Sequence, residues 1–266
     1  MKNTVKRRAA ILMPILLTAV FLHSCGAKNP PAVTANPPSA LAPSAPGASD
    51  AVPTATEPAE DSAFVYYEDI PIKNGAALSA YAAYPGGVSA AVDAYYSEVM
   101  SAFKNTARNL ASDLAEYDDI SPGVSYTLGD TYEITFQSDH LLSVLRTITA
   151  DTGGAHESAD ITCETFVLPS GRRAPLLEFF TAPRAEYIGR IAALFDEYVE
   201  ETGAELFFPN TAEYFRENFP EDYFTIMPYG LAFHFPPLTI APYSMSTITI
   251  TIPSSALEDI FTLPAE

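Results

Sequence analysis

The sequence predicts an α+β fold: one domain in which an antiparallel sheet is packed by a long N-terminal helix and a second helix, behind a disordered tether. Three observations support this class. Apolar and polar residues alternate in several short segments, two separated stretches repeat apolar residues every three or four positions, and no aromatic residue occurs between residues 26 and 61. Strands that cluster between separated helices favour an antiparallel sheet over a doubly wound parallel one. We therefore divide the chain into residues 1–24, 25–61 and 62–266.

Residues 1–24 are predicted to be a lipoprotein signal peptide. Basic residues precede an apolar run from Ala9 to Leu22, which as a helix would be about 21 Å long, shorter than the ~30 Å hydrocarbon core of a bilayer. The run is therefore interpreted as a cleavable export signal rather than a membrane span. It ends in Leu22-His23-Ser24-Cys25, which resembles the bacterial lipobox, so Cys25 is the expected site of lipidation. An ordinary signal peptide with an incidental cysteine is the alternative.

A lipid on Cys25, diacylglycerol with acyl chains such as palmitate, would hold the protein on the extracytoplasmic face of the cell membrane. The following residues 26–61 consist largely of Ala, Pro, Ser and Thr and cannot form a core. Extended at about 3.1 Å per residue, they would reach up to roughly 110 Å from the membrane. A disordered tail without a spacing role is the alternative interpretation of this segment.

The net charge argues against one class of partner. The chain has 33 Asp and Glu against 14 Lys and Arg, a formal charge of −19, and removal of the four basic residues of the signal peptide would make it −23. Nucleic-acid binding needs a basic patch, so we expect no nucleic-acid partner. A basic protein would be attracted, because long-range electrostatic attraction raises the rate of association. The alternative is that the acidity only keeps an exported protein soluble.

The first half of the domain is predicted to contain strands around one long helix. Aromatic residues return at Phe64–Tyr67, which marks the start of the folded part. Residues 88–117 should form an amphipathic helix, and the segment 131–136 should be a strand, followed by a connection at Gln137–His140. The predicted apolar stripe of the helix is Val88, Val92, Tyr95, Val99, Phe103, Leu110, Leu114 and Tyr117.

The second half is predicted to contain one helix and a set of strands. The helix should run over residues 183–202, with Thr181 as its cap, Gly203 as its stop, and an apolar stripe of Ile188, Ile191, Phe195 and Val199. Pro228-Tyr-Gly230 is a plausible hairpin turn between two strands. Isoleucine alternates with threonine over residues 247–253, which indicates a strand with one solvated face.

Two side chains are assigned by their parity within strands. Cys163 shares strand parity with Ile161 and Val167, so we predict a buried, free thiol rather than a nucleophile. His234 has the opposite parity to Phe233 and Phe235, so we predict that it points to solvent.

The sequence displays no motif for a reaction. The histidines do not form a zinc-binding pattern, and we assign no catalytic residue, no metal site and no cofactor. His140 lies in a connection between strands, and His156 follows the paired glycines of Thr152-Gly-Gly-Ala-His156. The candidate binding residues are His140, Gly153, Gly154 and His156, and for the two histidines a structural role in a turn is the alternative.

The order of several segments resembles a known extracytoplasmic domain family. The segments are Leu141–Leu145, Thr152–His156, Leu176–Phe180, Tyr229–Pro237 and Thr249–Pro253. They are similar to the domain shared by the anti-sigma factor RsiV and the non-catalytic part of the peptidoglycan deacetylase PdaC. This resemblance implies an α+β fold, an extracytoplasmic location and no activity of its own. In RsiV the domain binds lysozyme, and in PdaC-like proteins it accompanies a catalytic domain that this chain lacks.

We therefore expect a surface-tethered, non-enzymatic binding module of the bacterial cell envelope. Its ligand would be an envelope component such as peptidoglycan, or a cationic protein such as lysozyme. The alternative is an enzyme that modifies cell-wall glycan, or an accessory subunit of one. Anti-sigma signalling is disfavoured, because only residues 1–8 precede the apolar run.

Overall fold

The computed structural model describes residues 64–263 and confirms the α+β class. The signal peptide, Cys25 and the tether lie outside the described residues. Within residues 64–263, no helix is long and apolar enough to cross a membrane. The elements in chain order are β1 (Phe64–Pro71), β2 (Ala77–Tyr84), α1 (Ala90–Ala115), β3 (Ser125–Gln137), β4 (Leu141–Asp151), β5 (Ser158–Val167), β6 (Arg172–Arg173), α2 (Arg184–Thr202), α3 (Thr211–Glu217), β7 (Phe224–Met227), β8 (Gly230–Phe235) and β9 (Ile248–Pro253).

The strands form two sheets. The large sheet has the order β1-β2-β3-β4-β5-β6, and the small sheet has the order β7-β8-β9. All neighbouring strands are antiparallel except β2 and β3, which are parallel. The parallel pair follows from α1, which connects β2 to β3 and carries the chain back to the starting end of the sheet. The predicted antiparallel sheet is therefore correct for every pair except this one.

Helix α1 packs on one face of the large sheet. Ser89 is its N-cap, and the Ser89 hydroxyl accepts a hydrogen bond from the backbone N–H of Val92. The predicted helix is confirmed, but it ends before Tyr117, whose side chain is exposed. The residues that α1 buries are Val92, Tyr96, Met100, Phe103, Ala107, Ala111 and Leu114.

Helices α2 and α3 pack with the small sheet in a second core. Helix α2 ends at Gly203, whose φ of +112° suits a glycine, as predicted. Thr181 does not cap α2, because its hydroxyl donates to the carbonyl oxygen of Ile260 and the N-cap position is Pro183. Aromatic rings of α2 and α3 meet in this core, with Phe195 stacked on Phe215 at 4.0 Å between ring centroids.

The two cores lie on opposite faces of the large sheet. Leu142 and Val144 of β4 belong to the core under α1, whereas their neighbour Leu141 belongs to the core of the small sheet. Strand β7 contacts β3, β4 and β5. The Ser143 hydroxyl accepts a hydrogen bond of 2.9 Å from the backbone N–H of Ile226. The large sheet is therefore the central layer of the domain.

The structure confirms the prediction for Cys163 and corrects the one for His234. Cys163 is buried and free, and burial raises the pKa of its thiol to about 12. His234 is also buried, although the alternation predicted exposure. Strand β8 lies between β7 and β9, and all six of its residues are buried, so neither face of the strand is solvated.

Candidate functional site

The predicted binding residues do not form one site. His140 lies in the turn between β3 and β4, whereas Gly153, Gly154 and His156 lie in the turn between β4 and β5. Strand β4 has 11 residues and separates the two turns by about 33 Å, since a strand rises about 3.3 Å per residue. The imidazole side chains of His140 and His156 are both exposed.

The turn that contains His156 is fastened to the loop before β9. The imidazole of His156 stacks on Tyr243 at 4.7 Å between ring centroids, and the Tyr243 hydroxyl donates to the carbonyl oxygen of Glu157 at 2.7 Å. Gly153 has a φ of +82°, and a Cβ at this position would lie 3.2 Å from the ring of Tyr126. These contacts favour the structural interpretation of the turn over the binding interpretation.

A buried cluster of charged residues, which the sequence analysis missed, lies between α1 and the large sheet. Arg146 of β4 forms ion pairs with Asp130 of β3 and with Glu164 of β5, the latter at 3.2 Å from Nη1 to Oε1. All three residues are buried, and Glu164 has no exposed surface. In each strand the charged residue lies on the same face as a buried apolar residue of the core under α1: Asp130 with Leu128, Arg146 with Val144, and Glu164 with Phe166. A charge two positions from an apolar residue in three successive strands was the sequence signal, and it was weak because β5 also buries Ile161 and Cys163 on its other face.

Tyrosine hydroxyls complete the hydrogen bonding of the two carboxylates. Tyr95 and Tyr96 of α1 donate to Glu164 at 2.5 and 2.6 Å, and Tyr84 of β2 donates to Asp130 at 2.7 Å. Burial is the main cause that raises the pKa of Asp130, against the lowering effect of Arg146. Burial, together with Glu164, also raises the pKa of Tyr95, to about 12.

The buried cluster is closed rather than open to a substrate. Arg173 covers its edge, since its Nη2 donates to the carbonyl oxygen of Cys163 at 2.9 Å and its Nη1 lies 3.8 Å from Oε1 of Glu164. The carboxylates of Asp130 and Glu164 already accept hydrogen bonds from guanidinium and hydroxyl groups. The cluster therefore fixes the N-terminal half of α1 on the sheet.

Every arginine between residues 64 and 263 is held by a carboxylate of the same chain. The outer pairs include Arg172 with Glu178, at 2.7 Å from Nη1 to Oε1, and Arg190 with Asp259, at 2.6 Å from Nη1 to Oδ1. The chain has a large excess of acidic residues, so many carboxylates have no such partner. The paired arginines are Arg108, Arg146, Arg172, Arg173, Arg184, Arg190 and Arg216.

Among residues 64–263, several carboxylates that form no ion pair lie at the C-terminal ends of both long helices. Neither α1 nor α2 has a basic residue in its last turn. The C-terminal end of a helix carries partial negative charge, so acidic residues there are unfavourable. The acidic helix ends consist of Asp113, Glu116, Asp118 and Asp119 at α1 and of Glu197, Glu200, Glu201 and Glu205 at α2.

A pocket of about 340 Å³ lies beside α3 and the start of β7. We call it the tyrosine pocket, because Tyr214 and Tyr223 line it and are 45% and 39% exposed. Its other lining residues include Phe219, Glu221 and Asp222, and none is basic. Aromatic and acidic residues are interleaved over residues 214–223, and this pattern was the sequence signal for the pocket.

A second pocket, of about 420 Å³, lies between α2 and α3. The two arginines that line it already form ion pairs, Arg184 with Glu221 and Arg216 with Asp196. In the part of the chain that the structure describes, no three His, Cys, Asp or Glu residues are grouped so that they could hold a metal ion.

Comparisons with known proteins agree on the fold. Residues 179–255 match the model of a family described as a protein of unknown function, DUF3298. A crystal structure of a DUF3298 family member from Bacteroides fragilis is 18% identical, with a TM-score of 0.56, and the match covers 76% of this chain and 92% of that one. A DUF3298 family protein from Pseudomonas aeruginosa is 12% identical, with a TM-score of 0.51 and coverage of 75% and 94%. No curated protein sequence matches this chain.

Proposed function

We propose that this protein is a non-enzymatic binding module of the bacterial cell envelope, anchored on the outer face of the cell membrane through Cys25, and that its partner is a cationic protein. The resemblance to the RsiV and PdaC domains supports the location and the lack of activity. The observation that carries the proposal is the distribution of charge. The arginines between residues 64 and 263 are engaged within the chain, while both long helices end in carboxylates without basic partners.

The acidic helix ends support a binding role over a role in solubility alone. Carboxylates placed at helix N-termini would supply the same net charge and would stabilise the helices. At the C-terminal ends each costs a few tenths of a kcal/mol to about 1 kcal/mol instead. Natural proteins depart from such local preferences mainly at functional sites. A basic partner that approaches these ends would relieve the unfavourable interaction.

The buried cluster supports a module rather than an enzyme. A general acid or base must reach the substrate directly or through one water molecule. Glu164 has no exposed surface and Asp130 is 3% exposed, and both are hydrogen bonded to tyrosine or arginine. These titratable groups are therefore engaged in holding α1 on the sheet.

The proposal is tested by measuring binding to lysozyme at several salt concentrations. The Debye length falls from ~30 Å at 0.01 M to ~10 Å at 0.1 M, so the affinity should fall as salt rises. The change should appear mainly in the association rate, because long-range attraction acts before contact. The absence of binding at 0.01 M salt would exclude lysozyme, and salt-independent binding would leave the acidity with a role in solubility only.

Two variants of equal net charge separate the helix end from the overall charge. The first is the triple variant Glu197→Gln, Glu200→Gln and Glu201→Gln at the end of α2. The control is Glu98→Gln, Asp139→Asn and Glu258→Gln, which removes three exposed carboxylates from separate places. We expect the first variant to lower the association rate more than the control. An equal decrease would argue that only the overall charge matters.

A further inference from the structure

We propose that the tyrosine pocket is the anchoring site for one cationic side chain, arginine or lysine, of the protein partner. This inference rests on the proposed function, because it names the part of the protein partner that the module binds. It is distinct from the acidic helix ends, which act at long range, whereas the pocket would act after contact.

The size and walls of the pocket suit a single long side chain. Its volume of about 340 Å³ is at the lower end of the range of ligand sites. Phe219, Pro220 and Pro236 provide apolar surface. Arginine and lysine bury their aliphatic stems on such surfaces while the charged group stays near polar atoms.

The aromatic residues of the pocket favour a cation at its mouth. Tyr214 and Tyr223 are both partly exposed, so their rings are accessible to a ligand. The face of an aromatic ring attracts a guanidinium or ammonium group placed within about 6 Å. Aromatic residues and arginine are also the residue types that dominate binding energy at protein interfaces.

The charges that line the pocket are negative, and one carboxylate has no partner. Glu221 is held by Arg184, at 3.0 Å from Nε to Oε1, and by the hydroxyl of Tyr187 at 2.9 Å. Asp222 is exposed and takes part in no ion pair or side-chain hydrogen bond within residues 64–263. A cationic ligand would therefore meet the carboxylate of Asp222 without displacing an existing contact.

The electrostatic environment of Tyr223 agrees with this geometry. Burial is the main cause that raises its pKa, and the negative charges of Asp160 and Asp222 raise the pKa further. A field that disfavours a phenolate favours a cation in the same place. An anionic ligand would be repelled, and an apolar ligand would bury Asp222 without a partner, which is costly.

The test uses a small cation, so that it does not depend on the protein partner. The probe is Nα-acetyl-arginine amide, and the matched control compound is Nα-acetyl-citrulline amide, which has nearly the same shape without the charge. The full chain is labelled with 3-fluorotyrosine, and the signals of Tyr214 and Tyr223 are assigned from the Tyr214→Phe and Tyr223→Phe variants. We expect both signals to shift in a saturable manner with the arginine probe, and not with the citrulline probe.

The variant Asp222→Asn should weaken binding of the arginine probe about three- to tenfold. Its control is Glu213→Gln, which removes the same charge from an exposed residue of α3 that does not line the pocket. We expect the control to change the affinity less than twofold. Absence of the shifts, equal shifts with citrulline, or equal weakening in both variants would overturn the inference.

Lysozyme binding by the same variants separates this inference from the proposed function. If the arginine probe binds but lysozyme does not, the pocket inference stands as a cation site and the proposed partner is wrong. If lysozyme binds and Asp222→Asn leaves its dissociation rate unchanged, the proposed function stands and the pocket is not the anchor. If both are correct, Asp222→Asn should raise the dissociation rate of lysozyme, while Glu213→Gln should not.

Discussion

At the scale of single residues, His234 shows how a buried polar group depends on both neighbouring strands. Its Nε2 lies 2.8 Å from the hydroxyl oxygen of Thr225 in β7, and its Nδ1 lies 3.0 Å from that of Thr249 in β9. Burial lowers the pKa of His234 from 6.5 to about 4. The imidazole is therefore neutral at pH 7 in the folded protein.

This pKa predicts a loss of stability in mild acid. The unfolded state binds a proton on His234 near pH 6.5, whereas the folded state resists protonation until about pH 4, so the free energy of unfolding falls between these values. The loss attributable to His234 should be about 2 kcal/mol between pH 7 and pH 5. The variant His234→Gln should remove this part of the pH dependence, as measured by urea unfolding at both pH values. Equal losses in the variant and the unmodified protein would contradict the prediction.

Arg146 should be more important for stability than any exposed arginine. The variant Arg146→Met leaves Asp130 buried without a cation and leaves Glu164 with Arg173 alone, 3.8 Å away, which should cost about 3–5 kcal/mol. The control Arg172→Met breaks an ion pair with Glu178 in which both side chains are exposed, so it should lower the stability far less. Thermal or urea unfolding of both variants measures the difference. Similar effects would show that the buried cluster does not stabilise the position of α1.

Alternation along a strand predicted the burial of some side chains correctly and of others wrongly, and the difference has a physical reason. It was correct for Cys163 and for the isoleucines of β9, because each of these strands has a face that points into a core. It was wrong for His234, because β8 is buried on both faces. It did not reveal the partners of Arg146, since they lie on β3 and β5 and only the pairing of strands brings them together.

At the scale of elements, long periodic segments were predicted well and short or topological features were not. Helices α1 and α2 lie within two residues of the predicted ranges 88–117 and 183–202. The seven residues of α3 are too few for a clear periodic pattern, so this helix was missed. The parallel pairing of β2 with β3 depends on where α1 packs, which the pattern within each strand does not contain.

The acidic end of α2 predicts opposite effects on stability and on binding. In the variant Glu201→Lys a positive charge replaces a negative one in the last turn, so the helix should be stabilised by about 0.3–1 kcal/mol. The same variant should weaken binding to a cationic protein. Thermal unfolding and association rates measure the two effects. Glu186→Lys in the first turn is the control, and it should lower stability because it opposes the dipole and breaks the pair with Arg190.

A stability decrease in Glu201→Lys would mean that Glu201 makes a favourable interaction in the folded state. A stability increase without weaker binding would remove the end of α2 from the proposed interface. Stability and association rate are both measured on the same variant, so the two effects of Glu201 are compared in one protein.

At the scale of the whole molecule, the central position of the large sheet explains why the matched segment is not a separate unit. Residues 179–255 include α2, α3 and the small sheet. Their core also contains Phe136 and Leu141 of the large sheet. The hydrogen bond from Ile226 to Ser143 joins the two sheets directly. The tyrosine pocket is lined by residues of this segment, and its position therefore also depends on residues of the large sheet.

The proposed membrane location of the protein depends on lipidation of Cys25, which lies outside the described residues. We expect Cys25→Ala to release the protein from the membrane or to leave it as the unprocessed precursor, because acyl chains supply about 0.8 kcal/mol of membrane affinity for each buried CH₂ group. Fractionation of cells and labelling with a palmitate analogue measure both results. The control is Cys163→Ala, which removes the buried cysteine of β5 and should leave labelling and fractionation unchanged. A Cys25→Ala protein that is still processed and still membrane-bound would show that another segment anchors the chain, and binding partners would then have to be sought without assuming a lipid tether.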